Sequence, residues 1–232
     1  MITIKDLNFS YAKNELILDK LCWEIETSNI HGLVGLNGAG KTTLFHIMYG
    51  FYKESKNSIL YKKLPLSKKD ISLLETENFF YSKITGLEYL RIFSVNNSSF
   101  NINLWNDIFN LPLKKYISTY SSGMKKKLAF LGNLALDRSI MLLDEPFNGV
   151  DIETVQKLKL IIKKLKEKGK TIIISSHILE TLTSICDTIS YIEDKKVKFK
   201  AFKDNDGFKN IETKIFDVFD KTNEDKINSA LT

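Results

Sequence analysis

The stretch GLNGAGKTTL, residues 35–44, places three glycines, one lysine and two threonines at the end of the apolar run IHGLV. Gly35 is followed after four residues by Gly40, Lys41 and Thr42, which is the spacing of a phosphate-binding loop. In such a loop, glycine-permitted backbone amides surround a polyphosphate and the lysine reaches its terminal groups. The stretch therefore predicts a nucleotide-binding site.

The sequence on either side of this loop supplies the strand and the helix that the phosphate-binding pattern requires. IHGLVGL is short, apolar and partly β-branched, as expected of a buried strand. KTTLFHIMYG has helical apolar spacing at Leu44, Ile47 and Met48 and a glycine stop at Gly50. A helix that begins here directs its unpaired amides and the positive end of its dipole at an anion. We therefore predict nucleoside triphosphate binding rather than a chance match.

The composition is that of a globular protein. The chain has 232 residues, of which 43% are apolar, and one domain with an inserted subdomain fits this length. No apolar run approaches the roughly 18 residues that span a bilayer, and the N-terminus lacks the pattern of a signal peptide. Cys22 and Cys186 form no CxxC motif, which argues against a zinc framework or disulfide scaffold. We expect a soluble, untargeted chain in a reducing cytosol.

The net charge of +6 comes from lysines scattered along the chain, in YKK, SKKD, MKKK and IIKKLKEK. Such runs are usually solvated helix faces, and we expect no nucleic-acid partner. A basic surface is also compatible with a position beside an anionic membrane leaflet. Charge alone does not choose between these settings.

Strand and helix patterns divide the chain into four segments. Residues 1–75 contain strand patterns at ITIKDL, LCWEIE, IHGLVGL, NSILY and ISLL. Residues 76–136 contain helical patterns with Asn, Ser and Pro breaks, which predicts an inserted helical subdomain. Residues 137–200 return to strands, and residues 201–232 form a polar tail with one small apolar cluster, at Ile215, Phe216, Val218 and Phe219.

The segment from residue 137 alternates strands with helices. The strand patterns IMLLD, TIIIS and TISYIED are separated by helices expected over 151–168 and about 178–186. Gly169 is placed as the C-terminal stop of the first of these helices. Strand–helix–strand order predicts a parallel sheet with right-handed crossovers.

The stretch IMLLDEPFNGVD presents two carboxylates at the end of an apolar strand. Ligands bind at the carboxyl ends of strands in an open α/β sheet, so Asp144 is placed to hold Mg²⁺ together with the hydroxyl of Thr42. Glu145 is then placed to act as general base on the attacking water. The alternative is a pair of carboxylates that caps a turn or a helix.

The stretch TYSSGMKKKL places Ser121, Ser122 and Gly123 before a lysine-rich helical pattern. Taken alone, a serine and a glycine at this position indicate an ordinary helix N-cap. The stretch lies just before IMLLDE and far downstream of the phosphate-binding loop, and this order suggests a further role.

With these motifs in order, the chain resembles the ATP-binding cassette of ABC transporters. GLNGAGKTT matches Walker A, YSSGM stands in the place of the signature LSGGQ, IMLLDE matches Walker B and NGVD matches the D-loop. His177, in SSHILE, matches the switch histidine, and Tyr11 matches the aromatic residue that stacks on adenine.

The resemblance covers residues 1–200 and implies an α/β fold, a P-loop NTPase core of the ABC ATPase type. This fold has an N-terminal antiparallel β region and an inserted α-helical subdomain. The RecA-like core would comprise residues 1–75 and 137–200, with the helical subdomain at 76–136. The tail, residues 201–232, lies outside the resemblance and has no implied role.

The resemblance also implies a role for each motif residue. Thr43 would support the α-phosphate, and His177 would hold the γ-phosphate and the attacking water. Ser121 and Gly123 would contact the ATP of a partner cassette. The β- and γ-phosphates would be held by the side chain of Lys41 and by the loop amides of Asn37, Gly38, Ala39, Gly40, Lys41 and Thr42.

Two positions depart from the family pattern. Ser122 stands where the signature usually has glycine, although Ser121 and Gly123 are kept. Thr76 stands at the usual position of the Q-loop glutamine, flanked by Glu75 and Glu77. Threonine is too short to reach both Mg²⁺ and a transmembrane partner, so either a neighbouring glutamate substitutes or coupling is altered.

As a whole, the resemblance implies an ATPase that uses ATP and Mg²⁺ and works as a head-to-tail dimer. ATP would close the dimer with a second cassette, either another copy or a related chain, and hydrolysis would reopen it. Separate transmembrane permease subunits would carry the substrate, with the cassette on the cytoplasmic, inner face of the cell membrane. The sequences of several motifs, TGLEYL, YSSGMKKKL and EPFNGVD, resemble those in cassettes of bacterial-type exporters, including drug, lantibiotic and ABC-2 systems.

Two other functions fit parts of the sequence. A soluble ABC ATPase that acts on ribosomes or nucleic acid is suggested by the basic charge and by Thr76 at the Q-loop position. Such proteins usually carry two cassettes or long coiled-coil insertions, and neither is found here. A regulatory module that binds ATP without hydrolysis is the other alternative, and Glu145 and His177 argue against it.

Overall fold

The computed structural model describes residues 1–12, 15–52 and 58–203, together with residues 208, 211, 213, 215 and 229. The strands are β1 Ile2–Ser10, β2 Leu16–Ile25, β3 Ile30–Val34, β4 Ile59–Tyr61, β5 Leu64–Pro65, β6 Ile71–Leu74, β7 Ile140–Asp144, β8 Thr171–Ser176, β9 Thr188–Glu193 and β10 Lys196–Phe202. The helices are α1 Lys41–Tyr49, α2 Gly86–Ser94, α3 Ile102–Phe109, α4 Ser122–Ala135, α5 Ile152–Glu167 and α6 Leu179–Thr183, with a 3-10 helix at Ile117–Thr119.

A six-stranded sheet in the order β10-β9-β3-β8-β7-β6 forms the centre of the molecule. From β9 to β6 all neighbours are parallel, and only β10 pairs antiparallel, with β9. Strands β3, β7 and β8 are buried along their whole length, as expected of parallel strands covered on both faces. Their carboxyl ends share one edge of the sheet, which confirms the predicted parallel arrangement.

A second sheet, in the order β2-β1-β4-β5, is antiparallel throughout and confirms the predicted N-terminal β region. Its buried side chains share one apolar cluster with those of helix α1, among them Leu44, Phe45 and Met48. Helix α1 therefore lies between the two sheets, with its N-terminus at the carboxyl end of β3.

The segment between β6 and β7 is helical, as predicted. Helix α2 begins with a capping box, in which Thr85 and Glu88 satisfy each other's backbone amides. Asn101 and Ser121 cap α3 and α4 in the same sense, through side-chain oxygens that accept from first-turn amides. Each of these three helices therefore begins directly after a residue whose side chain caps it.

Three features differ from the sequence-based expectation. Helix α6 ends at Thr183, and Ile185 and Cys186 lie buried in the chain that follows it. Strand β10 extends past residue 200, and its alternation of lysine with apolar residues is an edge-strand pattern that the sequence reading missed. The MKKK run is not wholly solvated, because Lys126 is buried where α4 passes beneath Glu145.

The tail contacts the core through Phe208, Ile211 and Ile215. Ile211 is buried, and Phe208 and Ile215 pack against the same apolar cluster as the central sheet. The other members of the predicted apolar cluster, Phe216, Val218 and Phe219, lie outside the described residues. Among the helices of the described ranges, none has the length and apolar character needed to cross a membrane.

Candidate nucleotide site

A cavity of about 560 Å³ opens at the carboxyl edge of the central sheet, at the N-terminus of α1. It brings together most of the residues that the sequence singled out, although they are spread over more than 160 positions of the chain. The lining residues are Tyr11, Ile17, Asn37, Gly38, Gly40, Lys41, Thr42, Thr43, Thr76, Asp144, Glu145, Asn148 and His177.

The phosphate-binding loop owes its shape to two glycines. Gly38 and Gly40 have φ of 83° and 98°, in the left-handed region that is disfavoured for residues with a Cβ. Gly40 occupies the N-cap position of α1 and offers no side-chain acceptor. The first-turn amides of a helix have no intrahelical acceptor, so this end of α1 is suited to bind an anion.

Lys41 is only 7% exposed, and its ammonium lies inside the loop. Its Nζ donates to the carbonyl oxygens of Gly35 at 2.6 Å and Leu36 at 2.9 Å. Burial lowers the pKa of Lys41, while the charges of Glu145 and Asp144 oppose that lowering. The ammonium is thus held at the cavity by groups that favour its charged form.

Asp144, the last residue of β7, accepts hydrogen bonds from three hydroxyl groups. Thr42 donates to its Oδ2 at 2.7 Å and Thr76 donates to the same oxygen at 2.8 Å. Ser175, its register partner on β8, donates to Oδ1. The carboxylate is therefore fixed by three separate segments of the chain.

Glu145 follows directly and has φ of 47°, an unusual conformation for a residue with a side chain. Its amide donates to the carbonyl oxygen and Oγ of Ser175 at 3.2 and 3.1 Å. Its carboxylate lies 2.9 Å from Nδ1 of His177 and accepts from Nδ2 of Asn148 at 3.2 Å. A carboxylate can only accept here, so Nδ1 of His177 carries the proton in this pair.

Tyr11 lies at the mouth of the cavity and is 56% exposed. Its hydroxyl lies 2.9 Å from Oγ1 of Thr43, and its ring packs edge-on against Phe9 with the centroids 5.1 Å apart. An exposed aromatic face next to the phosphate-binding loop is a suitable platform for a planar base.

Ser121 and Gly123 are not among the residues that line this cavity. Ser121 is exposed and caps α4, accepting from the amide of Met124 at 3.2 Å. Ala39 lines a neighbouring cavity that shares Asn37 and Gly38 with the first. The structure therefore gathers the Walker-type residues and leaves the start of α4 on the surface.

A scan against protein-family models matches residues 18–148 to the family described as ABC transporter. The lantibiotic transport ATP-binding protein SrtF of Streptococcus pyogenes is 31% identical over 221 residues, covering 91% of this chain and 94% of that protein. The chain belongs to the ABC transporter family. It is an ATP-binding subunit of the ABC type, an ATPase whose hydrolysis of ATP drives transport.

Solved structures show the same fold. A structure titled as the ATP-binding subunit of an ABC transporter has a TM-score of 0.80 at 24% identity, and the match covers 88% of this chain and 91% of that one. A dimeric ATP-binding cassette in a post-hydrolysis state, bound to ADP and Pi, has a TM-score of 0.77 at 18% identity, with coverage of 88% and 99%. The predicted fold class of an ABC ATPase is therefore confirmed.

Within this ABC cassette, the two glutamates beside the Q-loop position have different surroundings. Glu75 lies 3.1 Å from Nε2 of His46 on α1, and Glu77 is exposed. Thr76 itself contacts Asp144. Glu75 is thus paired with His46, and both alternatives, substitution by a neighbouring glutamate and altered coupling, stay predictions.

Sequence reasoning missed Ser175 and Asn148 as contributors to the cassette's site. Ser175 is the residue of β8 that pairs with Asp144 in parallel register, so the order of the strands could have identified it. Asn148 is the first residue of the NGVD motif, and a polar side chain three residues after Glu145 in a turn was the available signal.

Proposed function

We propose that this cassette binds ATP with Mg²⁺ in the cavity at the N-terminus of α1 and hydrolyses it there. The observation that carries the proposal is the convergence of Lys41, Asp144, Glu145 and His177 on one cavity. These groups supply a cation for the phosphates, a metal-binding carboxylate and a base with a hydrogen-bonded imidazole. The loop amides would hold the β- and γ-phosphates, Thr43 the α-phosphate and Tyr11 the adenine.

The oxygen groups around Asp144 fit a magnesium ion that is also held by phosphate. Mg²⁺ is usually bound by one or two protein oxygens together with substrate phosphates and water. Thr42 Oγ1 donates a hydrogen bond to Asp144, and its lone pairs stay available for a cation. Among the described residues, no group of three or more His, Cys, Asp and Glu side chains could hold a metal alone, in keeping with a site completed by the nucleotide. When bound, the ion would neutralise phosphate charge.

Glu145 is proposed as the general base. Its carboxylate lines the cavity, and His177 lies at hydrogen-bond distance and would hold the γ-phosphate and the attacking water in place. A positioned base typically contributes a hundredfold to ten-thousandfold in rate, on the order of 3 to 5 kcal/mol of barrier. Asn148 would restrain the carboxylate through its second oxygen.

We further propose that two cassettes pair head to tail and that Ser121 and Gly123 of each contact the ATP of the other. The exposure of Ser121 outside the cavity supports this arrangement. The dimer bound to ADP and Pi is a structural neighbour with the same fold, and its title describes that protein alone. The second cassette would be another copy or a related chain.

Transport would require separate transmembrane permease subunits docked on the helical segment, residues 76–136, with the cassette at the inner, cytoplasmic face of the membrane. The remaining cassette, residues 1–75 and 137–200, would carry the nucleotide site. Export is the proposed direction, because several motifs resemble those of bacterial-type exporters. A 31% identical relative is named for lantibiotic transport. No nucleic-acid partner is proposed.

Affinity purification of the full chain from detergent-solubilised membranes tests the transporter proposal. We expect the chain to be recovered with membrane proteins in a fixed stoichiometry, and the copurified subunits would identify the permease. Recovery with ribosomes or DNA, abolished by added salt, would instead support the soluble ABC ATPase, because binding to polyphosphates is strongly salt-dependent.

A further inference from the structure

Lys126 is a buried cation outside the phosphate-binding loop. It lies on α4, only 8% exposed, and its Nζ donates to the backbone carbonyl oxygen of Glu145 at 2.8 Å. Lysine side chains are rarely buried without a partner, because the ammonium loses its hydration. That burial lowers the pKa of Lys126, while the charges of Glu145 and Asp144 oppose the lowering. The cation is therefore held against the backbone of Glu145 at the end of β7.

The backbone of Glu145 is held at both of its peptide groups. Its amide donates to Ser175 on β8, and its carbonyl oxygen accepts from Lys126 on α4. Between these two bonds the residue has φ of 47°, a conformation that persists only where surrounding contacts enforce it. Loss of the bond to Lys126 would free one of the two groups that fix the direction of the Glu145 side chain.

We propose that Lys126 is a positioning residue for Glu145, which fixes the backbone so that the carboxylate stays against His177 in the cavity. The inference rests on the proposed role of Glu145 as general base. Lys126 lies five residues after Ser121 on the same helix, so α4 connects the proposed partner-facing surface to this base. A shift of α4 on dimerisation would reach Glu145 through the Lys126 ammonium.

Two further contacts join α4 to the loop between Glu145 and Asp151. A Cβ at Gly123 would lie 3.3 Å from the carbonyl oxygen of Gly149, so the two backbones are close. Lys127 lies 3.1 Å from Oδ2 of Asp151, whose side chain is 58% exposed. An exposed ion pair of this kind contributes little, whereas a buried charged hydrogen bond contributes more. We therefore assign the positioning role to Lys126.

The test compares Lys126→Met in the full chain with Lys163→Met, which removes a charge from the exposed face of α5. We expect kcat for ATP hydrolysis to fall by about tenfold to a hundredfold in Lys126→Met, the effect of one buried charged hydrogen bond. ATP affinity, measured by calorimetry, should stay within about threefold of wild type on the same scale, since Lys41 and the loop are unchanged. Lys126→Gln keeps an amide donor, so its kcat should lie between that of Lys126→Met and that of wild type.

Glu145→Gln separates this inference from the proposed function. Loss of turnover in Glu145→Gln alone supports its role as base, and retention of turnover there refutes that role whatever Lys126 does. In the Glu145→Gln background, Lys126→Met should cause no further loss of turnover, since the group it positions is gone. An equal further loss in that background, or wild-type kcat in Lys126→Met, would overturn the inference.

If Lys126→Met does not fold, the Lys126→Gln variant tests whether Lys126 positions Glu145. Its kcat should fall while its thermal midpoint and ATP affinity remain those of Lys163→Met. Wild-type kcat in a folded Lys126→Gln, or a fall of kcat only in proportion to lost ATP binding, would assign Lys126 a structural role instead.

Discussion

The hydroxyl groups of Thr42 and Thr76 donate to the same oxygen of Asp144, at 2.7 and 2.8 Å. Thr42 belongs to the first turn of α1, and Thr76 follows β6 at the entry to the helical segment. One carboxylate oxygen thus joins the nucleotide loop to the chain that leads into the proposed docking region. A movement of that entry segment would change the hydrogen bond between Thr76 and Asp144.

This contact leads to a prediction for Thr76. Thr76→Gln should preserve or increase the ATPase activity coupled to the membrane subunits, because its amide can still donate to Asp144 and reaches further than a hydroxyl. Thr76→Val, which keeps the shape and removes the donor, should lower that activity by about threefold to tenfold. Both are measured as steady-state ATP hydrolysis in the reconstituted complex.

A large loss of activity in Thr76→Gln would show that the shape of threonine at this position has its own role. Equal activity in Thr76→Val and wild type would show that the hydrogen bond to Asp144 does not contribute to turnover.

Lys41→Ala should weaken ATP binding severely. It removes the side-chain cation of the phosphate-binding loop and leaves backbone amides to balance the phosphate charge. Loss of one charge-assisted contact corresponds to a fall in affinity of about tenfold to a hundredfold. Titration calorimetry measures this change, with the exposed Lys163→Ala as the control. Unchanged affinity in Lys41→Ala would refute the assignment of this loop to phosphate binding.

The strand, loop and helix around residues 30–50 could be predicted because their signals are local. The sequence itself shows the glycines of the loop and the apolar spacing after Lys41. In the structure, Gly38 and Gly40 adopt the left-handed φ that glycine permits. The position of Asp144 at a strand end was predictable for the same reason. These signals depend only on neighbours in the chain.

The remaining site contacts depend on pairing between distant segments. Ser175 contacts Asp144 only because β8 lies next to β7 in a particular register. The burial of Lys126 depends on how α4 packs beneath Glu145, and its lysine-rich surroundings indicated a solvated face instead. Side-chain chemistry alone does not encode either arrangement, since the same residues on an exposed face would show the same local pattern.

Stability should fall in mildly acidic solution because of His31, which is 1% exposed on β3. Its Nε2 donates to the carbonyl of Glu26 at 2.7 Å, and its Nδ1 accepts from the Thr188 hydroxyl at 2.6 Å, so the neutral ring is satisfied. Burial lowers the pKa of His31 below 6.5. The unfolded chain then binds a proton that the folded chain does not, and the free energy of unfolding decreases as pH falls below 6.5.

One such proton changes the free energy of unfolding by at most about 1.4 kcal/mol per pH unit. Urea denaturation of wild type and His31→Gln from neutral pH to about pH 5 measures the difference in slope. The carboxyl of Glu26 lies near His31 and titrates below this window. Burial raises the pKa of Glu26, but the hydrogen bond from Lys200 and other contacts outweigh that effect and hold the pKa below 4.5. Identical pH slopes in the two proteins would contradict the role of His31.

Glu145→Gln should separate catalysis from binding. The amide keeps the size of the side chain and most of its hydrogen-bonding geometry but removes the base that accepts a proton from water. Turnover should fall by at least about a hundredfold, the usual scale of general-base catalysis, while ATP affinity is retained. Steady-state hydrolysis and calorimetry measure these two quantities, and Glu153→Gln, an exposed carboxylate on α5, is the matched control.

The same variant should accumulate as an ATP-dependent dimer in size-exclusion chromatography. Lys41, Thr42 and Asp144 would still hold ATP with Mg²⁺, and Ser121 of the partner would still close over it, so the step that reopens the dimer is the one removed. Near wild-type hydrolysis would place the base elsewhere, with His177 as the next candidate because it lies 2.9 Å from the same carboxylate. An inactive variant that stays monomeric with ATP bound would contradict pairing between copies of this chain, and adding the copurified cassette of a related chain would then show whether a heterodimer closes the site.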